Sequence, residues 1–241
     1  MQSFPPSDLV SCAGFILITD QLPAPADFLL HRFLHVRLKE VKQSHCIFLS
    51  VSEDLERIKA VASKAVLNLA ENPKFTFIDL AKYIESPERS TVAGDSPRLR
   101  PIVDLLSTAI TGKGQNLIIL DDVASLEWLG FTSLELFRFA RMLNTLCTKS
   151  GSTLVIRHHI LNASEPDTVF QLLLQLCSYH VEVRPLSSGR SGAVSGEICL
   201  HPGPSTGDPN LGSIPRTTAL QYRLTDGGAI FFNKGTSEGV L

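Results

Sequence analysis

The sequence predicts a three-layer α/β fold: a mainly parallel central sheet, helices on both faces, and a C-terminal antiparallel β meander. Up to about residue 177, short apolar runs alternate with amphipathic helical segments, and four further strand-like runs then follow with no helices between them. Each crossover between parallel strands places a helix on the sheet, so this alternation favours a parallel sheet with both faces covered.

Each predicted element rests on its own pattern. Runs rich in β-branched and aromatic residues predict strands over residues 14–19, 46–51, 75–79, 117–120 and 153–157. Apolar residues at helical spacing predict helices over about 26–42, 54–72, 101–110, 132–149 and 168–177. Thr132 and Glu135 have the spacing of a capping box, which marks a helix start.

The last four predicted strands form the meander. They cover residues 180–184, 197–201, 219–224 and 229–233. Residues 225–228, Thr-Asp-Gly-Gly, have the composition of a hairpin turn between the last two. Parallel β-α units closed by antiparallel hairpins are the layout of RecA-type NTPase cores.

The length of 241 residues fits one large domain better than two. We predict a single RecA-like domain over 1–241, with a flexible N-terminus at 1–12 and mobile loops at 85–100 and 202–218. The two loops are rich in Ser, Pro and Gly, a composition typical of connections without regular structure.

Composition excludes several classes of protein. With 44% hydrophobic residues, 19% charged residues and a net charge of −2, the chain is neither disordered nor a strongly basic nucleic-acid binder. The five cysteines form no CxxC pair, so we expect no zinc site, no other metal and no cofactor. We also expect no membrane span, because no apolar run approaches ~20 residues.

An acidic strand end is the first candidate functional feature. The apolar run Leu117–Leu120 ends on Asp121 and Asp122. In an NTPase, carboxylates at this position hold Mg²⁺ directly or through water. At a buried strand end, the same pair can instead cap the following turn, so both interpretations stay open.

The phosphate half of such a site is missing from the expected place. A P-loop needs glycines and a lysine between the first strand and its helix, but residues 19–28, TDQLPAPADF, contain neither. Asp20 and Asp27 would repel a triphosphate, and the prolines lack amide donors. Two other Gly–Lys stretches, 112–114 and 234–236, do not lie between a strand and a following helix. We therefore assign no catalytic residue.

Two further groups of residues are candidates for a functional role. His158 and His159 end the fifth predicted strand, next to where the acid pair should lie; they are either hydrogen-bonded edge histidines or an acid–base pair. Arg184, Arg190 and Arg216 lie on or beside the late loops and predict a local basic edge.

Three blocks of the chain resemble the sixth-subunit family of the Elongator complex, whose members are RecA-like and lack an intact P-loop. The blocks are LIILDDVASLEWLG (117–130), VEVRPLSSGRSGAVSGEI (181–198) and AIFFNKGTSEGVL (229–241). The last is similar to the end of the animal members, and residues 20–110 match by pattern alone.

The resemblance implies a non-catalytic accessory subunit. Such proteins join Elongator subunits four and five in a hetero-hexameric ring that serves the catalytic Elongator core and contacts tRNA during wobble-uridine modification, in cytoplasm and nucleus. The resemblance carries over Asp121 and Asp122 as a Walker-B-like strand end, and Arg190 as an RNA-facing loop position.

Two alternatives remain open from the sequence. One is an active NTPase with an atypical phosphate loop, which the composition of residues 19–28 opposes. The other is a pseudo-ATPase partner in a recombination complex, which the C-terminal block opposes.

Overall fold

The computed structural model of the chain describes residues 3–41, 44–64, 67–84, 98–110, 115–186, 189, 191–206 and 211–234. The strands are β1 (Gly14–Asp20), β2 (Cys46–Ser50), β3 (Phe75–Asp79), β4 (Leu117–Asp121), β5 (Thr153–His159), β6 (Tyr179–Arg184), β7 (Gly196–Pro202), β8 (Leu220–Thr225) and β9 (Gly228–Asn233). The helices are α1 (Ser7–Ser11), α2 (Asp27–Glu40), α3 (Leu55–Lys64), α4 (Leu80–Ile84), α5 (Arg100–Ala109), α6 (Val123–Trp128), α7 (Ser133–Ser150) and α8 (Thr168–Leu176).

The nine strands of the described residues belong to one sheet in the order β3-β2-β4-β5-β1-β6-β7-β8-β9. The strands from β3 to β6 in this order are parallel, and β7, β8 and β9 add antiparallel pairs. The predicted fold class, a mainly parallel sheet closed by an antiparallel meander, is confirmed, and it is consistent with a RecA-like fold.

Two apolar cores lie on opposite faces of the sheet. Successive strand residues point to opposite faces, so Phe15 and Leu17 join one core while Ile16 and Ile18 join the other. Helices α1, α2 and α3 contribute to the second of these cores, and α4 to α8 contribute to the first. Burial on both faces explains why the parallel strands read as continuous apolar runs.

The N-terminal segment differs from its prediction. Residues 3–12 include α1, and Phe4, Leu9 and Val10 are buried in the core, although the sequence predicts a flexible N-terminus over 1–12. Phe4 also packs on Phe231 of β9, with ring centroids 5.8 Å apart. The segment is short and its apolar residues are few, so periodicity alone gives too little signal to predict the helix.

Helix α3 ends earlier than predicted. The sequence predicts a helix over 54–72, but the structure ends it at Lys64, and residues 67–69 are not helical. Leu67 and Leu69 remain buried although the chain has left the helix, so their spacing imitates a helical face. Asn68 accepts a hydrogen bond from the amide of Ala70 at 3.0 Å, a local turn that competes with helix continuation.

Several sequence predictions lie outside the described residues. These are the parts of the two predicted mobile loops at 85–97 and 207–210, the Gly–Lys stretch 112–114, and Arg190. The described ends of the loops are regular: α5 starts at Arg100, β7 runs to Pro202, and Ile214 pairs with Leu200 in an antiparallel bridge. In the described part of the chain, no helix has the length and apolar character to cross a membrane.

Candidate functional site

The carboxyl ends of β4, β5 and β1 meet at one edge of the sheet, where open α/β folds bind their ligands. The parallel register aligns Leu120 with Ile156 and Ile18 with Arg157, so each strand places its next polar residues side by side. This register brings together the members of a buried ion cluster: Asp20, Asp121, Asp122, Arg157 and His159. A cis peptide bond joins Asp121 to Asp122.

Arg157 lies at the centre of the ion cluster. Its Nε is 2.6 Å from Oδ1 of Asp121, although the N–H bond is not aligned for a hydrogen bond with that oxygen, so the contact is an ion pair. Its terminal nitrogens lie 3.8 Å from a carboxylate oxygen of Asp20 and 3.8 Å from one of Asp122. The Arg157 side chain is only 7% exposed, so water screens these charges weakly.

His159 is the second cation of the cluster. Its Nδ1 lies 2.5 Å from Oδ1 of Asp20, and its Nε2 lies 3.5 Å from Oδ2 of Asp122. Its close contacts with the carboxylates of Asp122 and Asp20 raise the pKa of His159 to about 9 despite the opposing effect of burial. The imidazole is therefore protonated at neutral pH.

The pKa values of Asp121 and Asp122 are shifted in opposite directions. Burial raises the pKa of Asp121 to about 6, and Arg157 only partly offsets this. Burial also acts to raise the pKa of Asp122, but the contact with His159 and the hydrogen bond from the Ser125 amide outweigh it, and the pKa of Asp122 is lowered. Near neutral pH, Asp122 is therefore more fully ionised than Asp121.

Asp122 has a structural role as well. Its Oδ1 accepts a hydrogen bond from the amide of Ser125 at 2.7 Å, and its Oδ2 accepts one from the Ser125 hydroxyl at 3.1 Å, so it caps α6. This is the capping arrangement that the sequence left open for the acid pair. The same Oδ2 faces Arg157 and His159, so one carboxylate serves the cap and the cluster.

Residues 19–28, where a P-loop would hold phosphate, are held by a hydrogen bond to the carboxylate of Asp20. Oδ2 of Asp20 accepts a hydrogen bond of 2.6 Å from the amide of Ala26, the residue just before α2. Gln21 and Ala24 close a tight turn with a 2.8 Å backbone hydrogen bond. An amide at a helix N-terminus is a ready donor to anions, and here the fully buried Asp20 uses it.

Side chains of the protein itself therefore occupy both the phosphate half and the Mg²⁺ half of the expected nucleotide site. The Asp20 carboxylate takes the helix-start amide that would face a phosphate, and Arg157 and His159 neutralise the carboxylates that would face Mg²⁺. From the sequence alone, Asp20 is identified only as a charge that repels phosphate, and Arg157 is not identified as a site residue. The available signal was an arginine and an aspartate each ending an apolar strand that is buried on both faces.

His158 and Arg216 are not part of the ion cluster. Nε2 of His158 lies 2.9 Å from Oδ2 of Asp167, the N-cap of α8, and this agrees with a hydrogen-bonded edge histidine. Arg190 lies outside the described residues. Arg216 makes two hydrogen bonds of 2.8 and 2.7 Å to Glu182, so its charge is locally balanced.

A cleft of about 410 Å³ lies beside the cluster, between β6 and the β5–α8 connection. Asp20, Phe170, His180, Glu182 and Arg216 are among its lining residues. Burial lowers the pKa of His180 to about 4, so this imidazole stays neutral. The cleft has acidic, basic and aromatic walls.

The fold and this edge define a RecA-like α/β protein whose usual ligand position is filled by its own buried ion cluster. The chain belongs to the Elongator subunit Iki1 family, whose model matches residues 9–194. It is similar to Elongator complex protein 6 of Xenopus laevis, with 25% identity over 260 residues covering 98% of this chain and 96% of that protein. The resemblance found in the sequence is confirmed, and the chain is an Elongator subunit by family.

Proposed function

We propose that this chain is a non-catalytic subunit of the Elongator complex. It takes a place in a RecA-like hetero-hexameric ring with Elongator subunits four and five, and the assembled ring binds tRNA and supports wobble-uridine modification in cytoplasm and nucleus. Family membership and the similarity to Elongator complex protein 6 of Xenopus laevis support this assignment.

The closed ion cluster is the observation that carries the non-catalytic part of the proposal. A nucleotide at this edge would have to displace the Asp20 carboxylate from the Ala26 amide. A magnesium ion would have to compete with Arg157 and His159 for Asp121 and Asp122. Each displacement leaves buried charges without partners, which costs several kcal/mol per ion, so the edge disfavours MgATP.

Exposed apolar side chains at the same edge support a partner-binding role. Leu22, Trp128 and Leu161 are 93%, 80% and 79% exposed, and each lies in a connection that follows β1, β4 or β5. Leu129 and Leu134 are also exposed nearby, after α6 and at the start of α7. The connections that follow parallel strands leave the same edge of the sheet, and a large exposed apolar patch marks a protein-interaction surface. We name this group of five residues the apolar rim.

Calorimetry of the purified chain with MgATP tests the non-catalytic role. We expect no binding of MgATP in the micromolar range. We also expect no ATP turnover above background, either by the wild-type chain or by the double variant Asp121→Asn, Asp122→Asn. Micromolar binding that the double variant abolishes would instead establish the NTPase alternative.

Affinity purification from the native organism tests the assembly. We expect two RecA-like proteins of similar size to copurify with the chain, together with the larger Elongator subunits. Recovery of recombination factors in their place would contradict the proposal.

A further inference from the structure

A row of metal-ligand side chains crosses the boundary between the parallel sheet and the meander. Strands β6 and β7 pair so that His180 lies opposite His201 and Glu182 lies opposite Cys199. Residues two apart on a strand point to the same face, so all four side chains project from one face of the sheet. Their neighbours Val181, Val183, Ile198 and Leu200 enter the core on the other face.

Three of these side chains converge closely. One ligand atom each from Glu182, Cys199 and His201 lies within 4.8 Å of the other two. Nε2 of His201 is 3.2 Å from Oε2 of Glu182. Two ligands about 2.0–2.1 Å from a tetrahedral metal stand roughly 3.3 Å apart, given the metal–ligand distances known for zinc. The spacing therefore needs only small side-chain adjustments to hold an ion.

We propose that Glu182, Cys199 and His201 form a Zn²⁺ site that joins β6 to β7. Thiolate, imidazole and carboxylate are the three ligand types that zinc uses in proteins, and tetrahedral coordination leaves one position for water or an added ligand. Glu182 also lines the cleft beside β6, which gives that position access to solvent.

The surroundings fit a metal centre with ordered outer partners. Arg216 hydrogen-bonds to both oxygens of Glu182 and orients the carboxylate. A carboxylate offers about four lone-pair positions, so Oε2 can bind a metal while Arg216 stays in contact. Hydrogen bonds of this kind to ligating carboxylates are a usual feature of metal sites.

The site would fasten the two parts of the sheet. Strand β6 is parallel to β1 and antiparallel to β7, so it is both the last parallel strand and the first strand of the meander. Arg216 lies in the connection to β8. A metal bound by β6 and β7 therefore fixes the start of the meander and, through Arg216, the approach to β8. This role is independent of nucleotide or partner binding at the carboxyl edge.

Metal titration of the purified full-length chain tests the site. After chelator treatment and dialysis, we expect one Zn²⁺ per chain, bound with submicromolar affinity in competition with a chromophoric chelator. Cys199→Ser and His201→Ala should each weaken binding by more than the ~10–100-fold typical of losing an outer partner. There are two matched controls, Cys147→Ser at a buried cysteine of α7 and His45→Ala at a partly buried histidine directly before β2. Both should bind as the wild type does.

Cobalt spectra of the wild-type chain provide a readout that needs no variant, and the spectrum of a folded variant adds a second test. Co²⁺ bound to the wild-type chain should show a thiolate-to-metal charge-transfer band and the intense visible bands of tetrahedral coordination. The absence of the charge-transfer band in the wild type would overturn the proposal. Retention of that band in a Cys199→Ser chain that circular dichroism finds folded would overturn it equally.

Discussion

Arg157 is central to the buried ion cluster, because its guanidinium forms ion pairs with three carboxylates, whereas His159 contacts two. Replacing it with Leu leaves Asp20, Asp121 and Asp122 with His159 as their remaining counter-charge in the cluster. Removing one partner of a buried ion group typically costs 3–5 kcal/mol, so we expect Arg157→Leu to lower the free energy of unfolding by about that amount near neutral pH. Urea denaturation followed by circular dichroism measures it.

The same substitution at a solvent-facing site is the control. Arg138 of α7 is exposed, and Arg138→Leu should change the free energy of unfolding by no more than ~0.5 kcal/mol. The loss at Arg157 should also shrink at acidic pH, because burial already raises the pKa of Asp121 to about 6 and unpaired carboxylates take up protons. Equal effects of the two substitutions would mean that the cluster contributes nothing specific.

His159 makes stability depend on pH in a defined window. Its pKa is about 9 in the folded chain against 6.5 for an ordinary histidine, so the folded state binds the proton more tightly than the unfolded state. The stabilisation is fully present below pH 6.5 and is lost as the pH rises through 9. The free energy of unfolding should therefore fall across this window, and His159→Gln should remove that part of the fall.

A second histidine separates this effect from general titration. Burial lowers the pKa of His45, so any pH dependence that it contributes has the opposite sign, with stability rising as the pH rises. His45→Gln should keep the wild-type fall in stability between pH 6.5 and 9. If His159→Gln also keeps it, another group is responsible for the pH dependence.

At the scale of elements, the start of α7 carries the clearest local signal. The Thr132 side chain accepts from the Glu135 amide at 3.3 Å, and Glu135 accepts from the Thr132 amide at 2.8 Å, completing the capping box that the sequence predicts. Thr132→Ala removes one acceptor and should cost about 1 kcal/mol of unfolding free energy. Thermal or urea unfolding measures the loss.

The control for the cap lies within the same helix. Thr145 is exposed and hydrogen-bonds only to the carbonyl of Arg141, one turn earlier, among the contacts described for it. Thr145→Ala should be neutral or slightly stabilising, because alanine has the higher helix propensity. A loss at Thr145 as large as that at Thr132 would remove the cap as the explanation.

Elements with strong local signals were predictable, and those without were not. Strands β1 to β9 were all predicted, because burial on both faces or turn chemistry marks them. Helices α1, α4 and α6 contain five or six residues, too few to show a helical period. The predicted C-terminal end of α3 was wrong, because buried residues in the following turn happen to continue the apolar spacing of the helix.

At the scale of the whole molecule, topology decides what local patterns cannot. The sequence placed Asp121 and Asp122 at a strand end and His159 at another, and a parallel sheet brings such ends together. It did not give the order β4-β5-β1, so the contacts of Arg157 with Asp20 stayed hidden. The lack of a CxxC pair likewise predicts no zinc site. The proposed site depends instead on the β6–β7 register, which places Cys199 opposite Glu182 although no local sequence motif contains both.

The apolar rim leads to a prediction about assembly. Trp128 is the single tryptophan of the chain and is 80% exposed at the end of α6. Exposed tryptophans at interface centres often carry 2 kcal/mol or more of binding energy, which corresponds to roughly 30-fold in affinity. We therefore expect Trp128→Ala to weaken binding to the partner subunits by about 30-fold or more, as measured by titration with the purified partners.

A spectroscopic label on Trp128 tests the same contact without changing the interface. When only this chain carries 5-fluorotryptophan, its fluorine spectrum contains one tryptophan resonance, which should shift and broaden as unlabelled partners are added. Lys149 is exposed in the last turn of α7, which runs back to the opposite edge of the sheet, so Lys149→Ala should leave affinity and spectrum unchanged. A complex that forms while the Trp128 resonance keeps its free position would mean that the ring is built through another surface, because a buried indole cannot retain the environment of a solvated one.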